Sequence, residues 1–165
     1  FIAINLYWIA RLLADRWPVP FTEEERRLYE LALQNLSERD AFRLLRMAER
    51  KSVPDGTELI LQGGSVDTLS LVVDGRVAVE EDATRVDSLG DGSFLGSIAF
   101  LSQNDGFAAP VTVRTSAPTT MLTWSFAKLN AECARNPALQ VAIAASLGLE
   151  ISRWLKTSRQ MLLRA

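Results

Sequence analysis

A chain of 165 residues, 48% of them hydrophobic, is long enough for one domain with a full core. Its net charge of −2 does not suggest nucleic acid as a partner, and it contains no histidine and a single cysteine, Cys133. Internal disulfides, Cys/His zinc clusters and histidine-based catalysis are thereby excluded, and a reducing, cytoplasmic compartment is expected.

Phe1 to Ala14 is strongly apolar but shorter than the ~20 residues a bilayer span needs. It also lacks the order of parts of a signal peptide. Two readings stay open. The segment is either the last turns of a membrane helix, with Tyr7, Trp8, Arg11 and Arg16 at a cytoplasmic boundary, or an amphipathic helix packed on the domain. A chain that starts at Phe1 is expected to be an excised fragment. Trp17-Pro18-Val19-Pro20 ends the segment, so residues 1–20 read as an apolar helix with a Pro-rich linker and residues 21–165 as the domain.

Thr22 and Glu25 form a capping box that opens a helix to about Asn35, with Leu28, Leu31, Ala32 and Asn35 on one face. Glu23 to Glu25 complement the dipole of its first turn. Ser37 caps a second helix whose apolar set is Phe42, Leu44, Leu45 and Met47. From Ser52 the period changes to two. Leu59–Leu61, Leu69–Val73, Val77–Val79, the residues around Val86, Val111–Arg114 and Thr119–Ser125 read as short strands. Asp74-Gly75 between two of these runs is a hairpin signal. Short strands with no helix between them predict an antiparallel roll over about 52–125.

Helical period returns at Phe126 and runs to Arg135. Asn136-Pro137 then opens a long helix carrying Leu139, Ile143, Leu147, Ile151, Trp154, Leu155 and Leu162, mildly broken at Gly148. These helices occupy about 126–163. The fold class expected is α+β: an antiparallel β-roll or jelly roll, flanked by N-terminal helices and a long C-terminal helix.

Inside the roll, Gly90, Gly92 and Gly96 break the strand pattern, and a short apolar helix from Ser97 to Leu101 follows. A glycine before a helix start lets the backbone come close to a ligand, and the first N–H groups of the helix favour an anion. Gly96, Ser97, Ile98 and Ala99 are therefore a candidate phosphate cradle, with Ala109 and Pro110 completing the candidate set.

This stretch resembles the phosphate-binding cassette of the cyclic-nucleotide-binding domain family, the domain of the bacterial catabolite activator and of kinase regulatory subunits. The resemblance covers about 37–162, with Pro54-Asp55-Gly56, Asp74-Gly75-Arg76-Val77 and the run Leu89 to Gly96 in matching order. It implies a regulatory module for cyclic AMP or cyclic GMP, in which an arginine pairs with the cyclic phosphate and a glutamate receives the ribose hydroxyl. Here the glutamate position is Ser97. The arginine position falls on Ala109 counting back from Thr112-Val113, and on Gly106 counting forward from Gly96, because the loop is longer. Arg76, Arg85 and Arg114 are the candidate substitutes, although strand alternation turns Arg114 away from the face of Ala109. Phe107 in the longer loop is expected to occupy the phosphate space.

Losing one partner of a buried charge pair costs ~2–5 kcal/mol. A helix N-terminus returns only ~0.3–1 kcal/mol, up to ~2 in a sheltered site. At ~1.4 kcal/mol per decade, cyclic-nucleotide affinity should fall about 30-fold to several thousand-fold. The resemblance also puts Trp154 and Leu155 over the base, where stacking contributes ~1–3 kcal/mol. The alternative for that stripe is packing on the roll or a homodimer through Leu147, Ile151, Trp154 and Leu155.

Two functions follow: a binding module with weak or altered ligand binding, and a non-binding dimerisation or assembly domain. A cupin-type enzyme lacks its histidines, no nucleophile sits with a base, and no helix-turn-helix follows the last helix. No metal or other cofactor is expected. Finally, Asn5 to Tyr7 through Trp17 to Glu25 resembles the junction of bacterial Popeye-like proteins, which implies a membrane tether upstream and a place on the cytoplasmic face.

Overall fold

The computed structural model describes residues 19–103 and 106–162. The expectations for residues 1–18, membrane boundary and Popeye-like junction included, lie outside the described residues. Among these, no helix is long and apolar enough to cross a membrane.

The capping box forms as the sequence predicts: Thr22 N donates to Glu25 Oε2 at 2.8 Å, and Glu25 N donates to Thr22 Oγ1 at 3.2 Å. It opens α1, Glu23–Leu28. The helix then widens into a π-helical turn, Tyr29–Leu33. This corrects the expected face. The wider turn puts Leu33, not Leu31, beneath Leu28; Leu33 and Leu36 are buried, and Leu31 is 48% exposed. Helix α2, Glu38–Met47, is capped by Ser37, whose Oγ accepts from Asp40 N at 3.1 Å.

Eight strands follow: β1 (Glu49–Val53), β2 (Glu58–Ile60), β3 (Thr68–Asp74), β4 (Val77–Glu81), β5 (Thr84–Leu89), β6 (Phe94–Leu95), β7 (Thr112–Thr115) and β8 (Thr119–Ser125), with helix α3 (Ser97–Ser102) between β6 and β7. One sheet has the order β1-β8-β3-β6 and the other β2-β7-β4-β5, every pairing being antiparallel. This is the expected roll, with its first strand beginning at Glu49 rather than Ser52.

β3 shows how the layers stack. Leu69, Leu71 and Val73 face the helices, and Val72 faces the second sheet with Val77, Leu95 and Val113. Both faces are buried, so the strand reads as a continuous apolar run. The helical side of the core centres on Trp124 of β8, whose Nε1 donates to the carbonyl of Leu44 at 2.8 Å.

Helix α4 spans Phe126–Arg135 and α5 spans Pro137–Leu162. Asn136 Oδ1 accepts from Leu139 N at 3.2 Å at the start of α5. Contrary to the sequence expectation, α5 continues through Gly148 without a break. Leu139, Ile143 and Leu147 lock it into the chain's own core. Cys133 is buried in α4, and desolvation foremost, then the Glu132 charge, pushes its thiol above the ordinary range, which makes it a poor nucleophile.

Candidate functional site

The site is built around the turn from β6 into α3. Gly96 caps α3 with φ +89°, a left-handed conformation that side chains rarely adopt. A Cβ here would lie 2.5 Å from the Thr68 carbonyl oxygen at the start of β3. The glycine therefore lets the turn sit directly on the sheet. Ser97 follows, 7% exposed, and its Oγ has no hydrogen-bond partner.

The opposite wall is the loop before β7. Ala108 bridges to Ser65, Gly63 N donates to the Ala109 carbonyl at 2.7 Å, and Ala109 N donates to the Gly64 carbonyl at 2.9 Å. These bonds fix Ala109, 4% exposed, against the Gly63–Gly64 turn. Between the walls lies a cavity of about 150 Å³, with Leu95 and Val113 among the sheet residues that line it.

Gly96, Ser97, Ile98, Ala99, Ala109 and Pro110 all line this one cavity, and so does Trp154 from α5. Leu155 does not; it is 55% exposed, because one residue along a helix turns the side chain by about 100°. Phe107 lines the cavity as well. No lysine or arginine lines it among the described residues. Arg114 Nη2 instead donates to Glu58 Oε2 at 2.9 Å, as strand alternation predicts, and Arg85 is exposed opposite Glu80. Arg76 is not among the lining residues either.

Sequence reasoning missed Glu150. It lines the cavity beside Ile151, and its Oε1 accepts from the Phe94 backbone N–H at 2.7 Å. The signal was present. Glu150 stands four residues before Trp154, so any placement of the indole over the pocket brings the carboxylate to the same helix face. Among the described residues no cluster could hold a metal ion.

Two four-stranded antiparallel sheets, the short helix α3 and a long helix whose residues line the cavity make up a β-roll flanked by helices. Residues 50–136, just over half of the chain, match the family model described as cyclic nucleotide-binding domain, and the chain belongs to that family. Solved structures agree on the fold. A cyclic nucleotide-binding domain from Methylobacillus flagellatus is similar with TM-score 0.72 at 20% identity, covering 85% of this chain and 84% of that one. The catabolite activator protein of Thermus thermophilus gives 0.63 at 20% identity, covering 82% of this chain and 61% of that one. The cAMP-bound PfPKA-R (141–441) gives 0.63 at 16% identity over 85% of this chain. The chain spans only 45% of the length of PfPKA-R.

Proposed function

We propose that this domain is a regulatory small-molecule-binding module whose degenerate cassette binds cyclic AMP and cyclic GMP weakly or not at all. One observation carries the reading: the cavity bounded by the cassette is lined by a carboxylate, Glu150, and by no cation among the described residues. A cyclic phosphate entering there would find no lysine or arginine among the described lining residues to pair with. Ser97 in place of a carboxylate removes the receptor for the ribose hydroxyl. Helix α5 supplies Glu150, Ile151 and Trp154 to the cavity, so it is the element that would respond to occupancy. Trp154, which lines the cavity, is the residue that would stack on a ring in this reading. The reading is of a ligand-responsive module, not a catalyst, acting in the cytoplasm.

Calorimetric titration of both nucleotides tests it. We expect dissociation constants above about 100 µM. Low-micromolar binding of either would overturn the reading, and alanine substitution of Arg76, Arg85 and Arg114 in turn would then find the compensating charge. Ala109→Arg asks the converse: a restored guanidinium in an open pocket should tighten binding, and no change would mean that Phe107 and its neighbours have closed it.

A second reading is a non-binding dimerisation or assembly domain of a membrane-tethered protein. Its support is on α5, where Val141 is 70%, Leu149 49% and Leu155 55% exposed. Leu147, expected in the dimer stripe, is fully buried within its own chain. A dimer would therefore use the outer face of α5. Sedimentation at micromolar concentration should show it; a monomer there ends this second reading.

A further inference from the structure

Resting on the reading that the cassette no longer pairs with a phosphate, the geometry points to a different ligand: a small, uncharged, mostly apolar molecule of about one ring, with a single hydrogen-bonding group that meets Ser97. Size is the first argument. The cavity is about 150 Å³, the volume of an apolar protein cavity that stays dry and takes up benzene. A cyclic nucleotide, with purine, ribose and phosphate, is far larger than one ring.

Chemistry is the second argument. Val79, Leu95, Phe107, Val111, Val113 and Trp154 present apolar surface to the cavity. Such walls reward the removal of apolar area from water and penalise an unpaired charge. Ser97 supplies a neutral polar group, apart from the Glu150 carboxylate that receives the Phe94 N–H. It lines the cavity, it is 7% exposed, and its Oγ has no partner. A buried hydroxyl without a partner is costly, and serine can either donate or accept, so a ligand oxygen or nitrogen would relieve it. A ring in this space would touch Ile151 and Trp154, in the same helical stretch where Glu150 holds the Phe94 amide. Occupancy is thus felt directly by α5.

The test uses three near-isosteric probes on the purified chain: toluene, benzyl alcohol and benzoate, followed by ligand-observed NMR and thermal unfolding. Toluene and benzyl alcohol should bind with dissociation constants on the order of 0.1–1 mM and raise the melting temperature. Benzyl alcohol should bind about two- to tenfold tighter than toluene through the added hydrogen bond. Benzoate should bind at least ~30-fold more weakly. Ser97→Ala should erase the advantage of benzyl alcohol and leave toluene unchanged. Val111→Phe, which narrows the cavity from its partly exposed rim, should abolish binding of both while the domain still melts cooperatively. Absence of saturable binding by toluene and benzyl alcohol, equal binding of benzoate, or an unchanged ratio in Ser97→Ala each overturns the inference. Micromolar binding of cyclic AMP is a separate result and overturns instead the reading on which this one rests.

Discussion

Trp124→Ala is expected to destabilise the domain by about 3–5 kcal/mol, the usual loss for truncating a buried tryptophan. The side chain is 1% exposed and stands at the centre of the helical side of the core. It lies on β8 opposite Leu69 of β3, so the cavity left behind would sit between the central strands and the helices. The same change strands the carbonyl of Leu44, which accepts the indole N–H at 2.8 Å near the end of α2. Domains of this size hold about 5–15 kcal/mol in total, so the variant should lie close to unfolding. Urea titration measures the effect as a lowered midpoint with an unchanged slope. Trp124→Phe keeps most of the apolar area and loses the hydrogen bond, so it should cost clearly less. A loss below about 1 kcal/mol in Trp124→Ala would mean that β8 and α2 are not joined through this residue.

The sequence carried the architecture wherever local chemistry and burial agreed. Thr22-Glu25, Ser37 and Asn136-Pro137 are caps whose partners lie within the same turn, and each forms where it is written. β3, β4 and β8 alternate or run apolar because one or both of their faces are buried. β1 escaped because Glu49-Arg50-Lys51-Ser52 is exposed and polar, and only its pairing with β8 makes it a strand. β6 is two residues long and was hidden among glycines; it exists because Phe94 and Leu95 meet Leu71 and Ser70 across the sheet. The π turn was illegible for a different reason. Its effect is to move the buried face one residue along, to Leu33 and Leu36, where a search at the ordinary helical period assigns it to Ala32 and Asn35.

The site was legible in part for the same reasons. Gly96, Ser97 and Ala109 could be found because the cassette is continuous or nearly so in sequence. Glu150 could be placed on the helix face of Trp154, but its bond to Phe94 could not be foreseen, because it spans 56 positions and only the docking of α5 creates it. The missing cation was visible as an absence at Ala109 and Gly106. That no arginine from another strand replaces it among the described lining residues depended on where Arg76, Arg85 and Arg114 point, which sequence parity decided only for Arg114.

Gly96→Ala is the substitution that should damage fold and site together. A methyl group there meets the Thr68 carbonyl oxygen at 2.5 Å and Val66 Cγ1 at 3.3 Å. The valine can shift; the carbonyl is backbone and cannot move far, because β3 is held between β8 and β6 and Phe126 N donates to the adjacent Asp67 carbonyl at 2.8 Å. To the clash is added the left-handed φ of +89°, which costs a side-chain-bearing residue ~1–2 kcal/mol. A total of about 2–4 kcal/mol is expected, read as a lower unfolding midpoint. Relief of the clash must come from the turn, which carries Ser97 and the start of α3 away from β3 and opens the cavity wall. Gly148→Ala supplies the contrast. It lies inside α5, its added methyl meets nothing within 4 Å, and helix propensity alone should stabilise the domain by about 0.5–1 kcal/mol. Opposite signs for the two glycines are the expected result. A neutral Gly96→Ala would show that the close approach of the cassette to β3 is not required for this fold.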